Sequence, residues 1–225
     1  MSDKASVQSG GVYIFLGPPA SGKGTQAKLL SEKLKIPHVA LGDILREAVR
    51  NETPLGLKAK SFMEAGNLVP DDLVISIASL RFKEADCKGG LIVDGYPRTL
   101  KQEASLQGDL RALKFALSAV VYIKISVEAA ILRLSGRRSC KACGAVYHVK
   151  FNPPKVSGIC DRCGSTLYQR HDDTEGVIKN RFKVYEKETV PLVEHFRAGN
   201  VLVEISGEGS VSEISKRILT SLSLN

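Results

Sequence analysis

Gly17-Pro18-Pro19-Ala20-Ser21-Gly22-Lys23-Gly24-Thr25 follows directly on the apolar run Val12-Tyr13-Ile14-Phe15-Leu16 and leads into Gln26-Ala27-Lys28-Leu29-Leu30. A buried strand, a glycine-rich loop and the start of a helix stand in that order. Backbone N–H groups of such a loop turn inward onto phosphate oxygens, and the helix dipole adds partial positive charge there. Lys23 is placed to reach terminal phosphates. Gly24 rather than Ser or Thr follows the lysine, and Thr25 comes one place later. A switch GTPase uses a hydroxyl directly after the lysine to hold magnesium, so this loop reads as that of a small phosphotransferase. An ordinary strand-to-helix turn is the alternative. The joint occurrence of Gly17, Gly22, Lys23, Gly24 and Thr25 in this context weighs against it.

Outward from the loop, further β-branched runs recur at 91–93, 119–125 and 201–205, with a shorter one at 37–41. They lack polar alternation, which predicts strands buried on both faces of a parallel sheet. Helical patterns lie between them at 25–34, 42–49, 55–65, 71–85, 127–134, 175–198 and 212–222. Strands alternating with helices predict an α/β fold with right-handed crossovers. Two segments break the alternation. One is helical without a strand (41–69), and one is rich in Gly, Pro and Cys (136–173). Both read as insertions on a P-loop core made of 12–40, 70–135 and 174–225. Insertions at such connections are where ligand-binding excursions sit.

At 225 residues with 43% apolar content, the chain suits one large domain with a real core. No apolar run approaches a membrane span. Residues 1–11 hold one basic side chain, Lys4, and no apolar stretch of the signal-peptide kind. They read as a flexible arm on a cytoplasmic protein. The net charge of +8 suits phosphorylated ligands, nucleic acid or anionic lipid. The basic residues are scattered and aromatics are few, so bound nucleotides account for the charge as well as nucleic acid does.

Cys140-x2-Cys143 and Cys160-x2-Cys163 form two pairs at the spacing of a four-thiolate structural zinc site. Disulfides are the alternative, disfavoured without an export signal. Cys87 is left over and reads as a buried free thiol. Asp94 ends the 91–93 strand. An aspartate at the carboxyl end of a strand beside a P-loop can orient the waters of magnesium. Gly95 lets backbone approach a ligand, and Arg98 can clamp phosphate. Arg46, Arg133, Arg137, Arg170 and Arg181 lie near loop or helix ends, where planar guanidinium forks suit phosphate oxygens. Arg138 reads as a surface charge. Asp172-Asp173 fits a helix start, or an ion pair positioning Arg137 or Arg170.

Taken together, these motifs resemble those of the adenylate kinase family, from about Val12 to the end of the chain. Gly17–Thr25 resembles its P-loop. Gly42-Asp43-Ile44-Leu45-Arg46 resembles the start of its AMP-binding segment, and Asp94-Gly95-Tyr96-Pro97-Arg98-Thr99 its central signature. Gly136-Arg137-Arg138, the stretch Val146-Tyr147-His148 onward and the four cysteines resemble its zinc-bearing lid. Arg170-His171-Asp172-Asp173 and Arg181 are similar to the lid's exit. The resemblance implies reversible transfer of the ATP γ-phosphoryl to AMP, giving two ADP, by a cytoplasmic monomer that uses Mg2+ and a structural Zn2+ and engages neither nucleic acid nor membrane.

On the same footing it implies catalytic roles for Lys23, Asp94, Arg98, Arg133, Arg137, Arg170 and Arg181. ATP would be held by Gly17, Ala20, Ser21, Gly22, Lys23, Gly24, Thr25, Arg137, Val146, Tyr147 and Gly209. AMP would be held by Leu41, Arg46, Asn67, Leu68, Val69, Gly95, Tyr96, Pro97, Arg98, Gln102, Arg170 and Arg181, with Gln102 reading the adenine. Cys140, Cys143, Cys160 and Cys163 would hold the zinc. Leu41 departs from the family, which commonly has threonine there. Alternatives are a kinase for another nucleoside monophosphate, a GTP-dependent one, or a zinc-ribbon nucleic-acid-binding protein.

Overall fold

The computed structural model describes residues 10–224. The arm expected over residues 1–11 falls outside the described residues as far as residue 9. Gly10 and Gly11 are ordered into the fold: Gly10 N–H donates to Gly89 O at 3.0 Å, and Gly11 opens the first strand.

Five parallel strands form the central sheet: β1 (Gly11–Leu16), β2 (His38–Ala40), β3 (Gly90–Asp94), β4 (Ala116–Lys124) and β8 (Leu202–Ser206). Their order is β2-β3-β1-β4-β8. The pleat sends successive side chains to opposite faces. Val12, Ile14, Leu16, Val93 and Val120 enter one buried cluster, while Phe15, Ile92, Val121, Ile123 and Ile205 enter the other. Both faces are therefore covered, which is why the runs are continuously apolar. The second face is closed by α1 (Lys23–Leu34) and α9 (Val211–Ser221) through Ala27, Leu30, Ile214 and Ile218. The first is closed by α4 (Asp71–Phe82), α5 (Leu100–Leu113) and α8 (Val190–Ala198) through Val74, Ala78, Leu106, Leu110, Leu192 and Phe196. This is the expected α/β fold.

The segment after β2 carries α2 (Leu41–Arg50) and α3 (Pro54–Glu64). After α6 (Val127–Ser135) comes a small antiparallel sheet of β5 (Arg137–Cys140), β6 (Val146–His148) and β7 (Leu167–Tyr168) in the order β6-β5-β7. The chain returns through α7 (Glu175–Val184).

The structure departs from the sequence reading in three places. Helix α5 was not anticipated. Its buried positions include Gln102 and Glu103, so its apolar period is blurred, and Thr99 caps it by accepting from Gln102 N. The helix expected over 175–198 is interrupted by a π-turn at Tyr185–Thr189 before α8. The strand expected at 37–41 stops at Ala40, and Leu41 begins α2.

Candidate active site

The loop after β1 is held open by backbone geometry. Gly17 has φ +146°, and a Cβ there would lie 2.4 Å from Ile123 O and 2.7 Å from Ser21 Oγ, so only glycine fits. Helix α1 begins at Lys23 on the left-handed N-cap Gly22, with no side-chain cap and no acidic residue in its first turn. The first turn of α1 lines the cleft, and helix-terminal N–H groups left without a side-chain cap suit an anion there. Lys23 Nζ donates to Gly17 O and Pro18 O, each at 2.8 Å. Burial pulls the lysine down to about 7, against the opposing pull of Asp94. Ser21 is buried beneath the loop, its Oγ 3.4 Å from Nζ. Ala20, Gly22, Gly24 and Thr25 face a broad cleft.

Asp94 ends β3 across from α1. Gly24 lets it approach, since a Cβ there would sit 3.0 Å from Asp94 Oδ2. Burial works against its charge, but His38, with Nε2 at 3.4 Å, and Lys23 outweigh it and hold the carboxyl below its ordinary range. Arg98 Nε donates to Gly95 O at 2.9 Å, and Thr189 Oγ1 in the π-turn donates to Arg98 O at 3.1 Å. Burial, then the charge of Arg181, lowers Arg98 to about 10. Arg170 is lowered to about 10 by burial and by Arg46 and Arg137. Arginines crowded together in this way suit an anion between them.

The aspartate pair supports ion pairing. Asp173, with a fully buried side chain, takes Arg137 Nε at 2.8 Å and Nη2. Asp172 takes Arg181 at 2.6 Å. Arg170 pairs with neither; its Nε donates to Ser139 Oγ at 2.8 Å. Arg133 ties the P-loop to the β8–α9 loop, donating to Gly207 O at 2.7 Å and Ala20 O at 3.4 Å, beside Gly209. Arg138 donates to Arg137 O at 2.8 Å and lies outside the cleft lining.

A second pocket opens beside the first. Its apolar wall is Leu41, Leu45, Met63, Val69 and Val74, and its polar groups are Gln102, Arg98, Arg46 and Arg181. Asn67, Leu68, Gly95 and Pro97 also line it. Tyr96 does not: its ring is buried against Phe82, with its hydroxyl donating to Gln102 O at 3.0 Å. The Tyr96 side chain supports Gln102 from beneath. Val146 and Tyr147 lie along the cleft, but the Tyr147 hydroxyl is spent on Cys160 Sγ at 3.5 Å and on the N–H of Asp161 at 2.9 Å.

The sequence reading missed the groups that hold this machinery in place. These are Asp71 and Thr99 around Gln102, Ser139 under Arg170, Thr189 behind Arg98, and Asn180, whose Nδ2 reaches Ala65 O at 2.8 Å and Asn67 Oδ1 at 2.9 Å. Thr99 closes the 94–99 signature; the others belong to no local motif.

The four cysteines converge, with their Sγ atoms all within 4.8 Å of one another. Cys140–Cys163 and Cys143–Cys160 stand at 3.4 and 3.6 Å, and none of the four is in a disulfide. Each pair sits on a matching turn: Gly144 N donates to Cys140 O at 3.2 Å, and Gly164 N to Cys160 O at 2.8 Å. Four sulfurs tetrahedrally placed about 2.3 Å from zinc would be about 3.8 Å apart, so the donor set fits that ion. Cys87 is buried elsewhere, its thiol pushed up to about 11 by burial.

Free helix-terminal amides, a lysine and a ring of arginines bracket the space between the cleft and the second pocket. That arrangement suits moving a phosphoryl group between two nucleotides, and the class is that of a P-loop nucleoside monophosphate kinase. Comparison with known proteins narrows it. The family model of adenylate kinase matches residues 15–201. The chain is 47% identical to the adenylate kinase of Methanocella arvoryzae, covering 93% of this chain and 97% of the relative. It is 48% identical to those of Geotalea daltonii, over 93% and 98%, and Methanothrix thermoacetophila, over 93% and 97%. The chain belongs to the adenylate kinase family.

Proposed function

We propose that the cleft between the P-loop and the β5–β7 sheet takes ATP and that the pocket behind Arg98 takes AMP. As a member of its family the protein is an ATP:AMP phosphotransferase, interconverting ATP and AMP with two ADP. The observation that carries the placement is the position of Lys23, Arg98 and Arg181 among the residues lining both spaces. A phosphoryl group passing between them meets these cations in flight.

The acceptor oxygen of AMP is ionised near neutral pH, so the transfer needs no general base. It needs alignment and positive charge. The P-loop amides and Lys23 hold the donor phosphates, with Thr25 beside them. Arg46, Arg98, Arg170 and Arg181 hold the acceptor phosphate and, with Arg137, gather the charge that develops between the two. Arg133 and Gly209 frame the donor base. Gln102 faces the acceptor base, and Leu41 packs against it in place of a hydroxyl. Asp94, ionised at neutral pH and facing the cleft, fits magnesium, which when bound with ATP neutralises phosphate charge.

Residues 41–69 and 136–173 act as two covers over a core of 12–40, 70–135 and 174–225. Their closure keeps out water, which would otherwise take the phosphoryl group. The cysteine cluster holds structural zinc, because four thiolates leave no open coordination position. No helix among the described residues is long and apolar enough to cross a membrane. A cluster of reduced cysteines accords with a cytoplasmic location.

The test is a coupled assay of purified protein with ATP or GTP as donor and each of four nucleoside monophosphates as acceptor. ATP with AMP should give the highest kcat/KM. A preference for CMP or UMP would mean that Leu41 marks another acceptor and would overturn the assignment.

A further inference from the structure

The Gln102 amide is held from both ends. The residue is 1% exposed and lines the acceptor pocket. Its Oε1 accepts from the Arg98 backbone N–H at 2.8 Å, and its Nε2 donates to Asp71 Oδ1 at 2.7 Å. The other carboxylate oxygen of Asp71 accepts from Thr99 Oγ1 at 3.1 Å, and Thr99 Oγ1 in turn accepts from Gln102 N at 3.1 Å. The two ends of an amide have nearly the same shape, so its surroundings decide which way it faces. Here both partners agree. A backbone N–H demands the oxygen, and a carboxylate, which only accepts, demands the nitrogen. Half a turn of the amide would set N–H against N–H and carbonyl against carboxylate.

Each end keeps one valence for a ligand: a second lone pair on Oε1 and a second proton on Nε2. An acceptor and a donor side by side match a 6-aminopurine, whose amino group donates and whose N1 accepts. A 6-oxopurine presents the reverse pattern, with O6 accepting and N1–H donating. Fixing the amide therefore fixes the base.

We propose that Asp71 is the positioning residue that sets base selectivity, holding the Gln102 amide in the orientation that accepts a 6-aminopurine and rejects a 6-oxopurine. This rests on the reading of the second pocket as the AMP site. Asp71 does not line that pocket and acts through Gln102. It stands in the first turn of α4 with Asp72 beside it, so Asp71→Asn keeps an acidic residue at that helix start. The variant's amide can offer Gln102 either an oxygen or an N–H, and the orientation is no longer imposed.

The experiment measures steady-state kinetics with AMP and with inosine monophosphate, ATP being the donor, for wild type, Asp71→Asn, Gln102→Ala and the double variant. Wild type should prefer AMP. Asp71→Asn should raise the KM for AMP about fivefold, leave kcat within about twofold, and lower AMP-over-inosine selectivity about tenfold. In the Gln102→Ala background the same substitution should change neither KM nor selectivity further, because its route is gone. Unchanged selectivity in Asp71→Asn overturns the proposal, as does an equal further loss in the double variant. A wild type that does not favour AMP overturns the underlying site reading instead, so the two failures are distinct. If Asp71→Asn does not fold, Asp71→Ala, a better helix former, serves in the same comparison.

Discussion

Lys23 carries the sharpest residue-scale consequences. In the proposed mechanism its ammonium neutralises charge between donor and acceptor, an interaction that strengthens as the phosphoryl group moves. Lys23→Ala should lower kcat by about three orders of magnitude or more while circular dichroism stays that of wild type. Near wild-type turnover would remove Lys23 from the mechanism. The ligand-free protein supplies an independent check. Burial lowers the folded-state pKa of Lys23 from 10.5 to about 7. Between those values the unfolded chain binds the proton and the folded chain does not, so stability rises with pH across the window. Below the window the full cost of burying the charged form is present. Wild type should therefore gain stability relative to Lys23→Met from about pH 7 to about pH 10, read from denaturant midpoints of the apo proteins. A constant difference would show that the lysine is not perturbed. The importance of Lys23 is legible in sequence because its whole context spans a few consecutive residues. The pairing of Asp172 with Arg181 and Asp173 with Arg137 is less so. The Asp172-Asp173 pair reads equally as a helix start or an ion pair, and only the fold says which arginine reaches which carboxylate.

At the scale of elements, the β5–β7 sheet is too small to stabilise itself. Its buried cluster is Cys140, Tyr147 and Cys160, with Cys143, Ala145 and Leu167 packed against it. A piece with so little apolar content depends on its staple. Metal-replete protein should hold one zinc per chain by elemental analysis. Removing it with a chelator should loosen the segment around Cys140–Cys163 before the core, seen as faster amide exchange there while β1, β3 and β4 stay protected. Finding no zinc, or uniform loosening, would refute a structural role confined to this sheet. The cysteine spacing made this element readable, as β-branched runs did for the strands. Helix α5 was not readable: Gln102 and Glu103 occupy buried positions that apolar side chains would mark, and they are there because one lines the site and the other takes His195 and Gln107 as partners. The π-turn at Tyr185–Thr189 was hidden for a related reason. The pattern reads as helix throughout, and the extra residue in the turn serves to place Thr189 on Arg98. The sequence pattern thus fails where the site draws residues out of the core's logic.

For the whole molecule the deciding property is how the two proposed covers meet over the cleft. Arg50, at the end of α2, donates to the carbonyl of Lys141, which lies between Cys140 and Cys143. The Cys140–Cys143 turn therefore offers a contact to the segment opposite, across a cleft that both line. The contact exists only when the covers are close, so its free energy adds to closure and to no other state. A hydrogen bond from a charged donor at an exposed position contributes about 1 kcal/mol net, a factor of about five in the closed-to-open ratio. Arg50→Ala should then raise the KM for both ATP and AMP about two- to fivefold, because each nucleotide is held best by the closed form. It should not lower kcat, since Arg50 touches no reacting atom. Where reopening limits turnover, kcat should rise slightly. Steady-state kinetics with each nucleotide varied in turn checks this. A KM raised for one nucleotide alone would place Arg50 in a binding site rather than in closure, and unchanged constants would mean that the contact holds no closure energy.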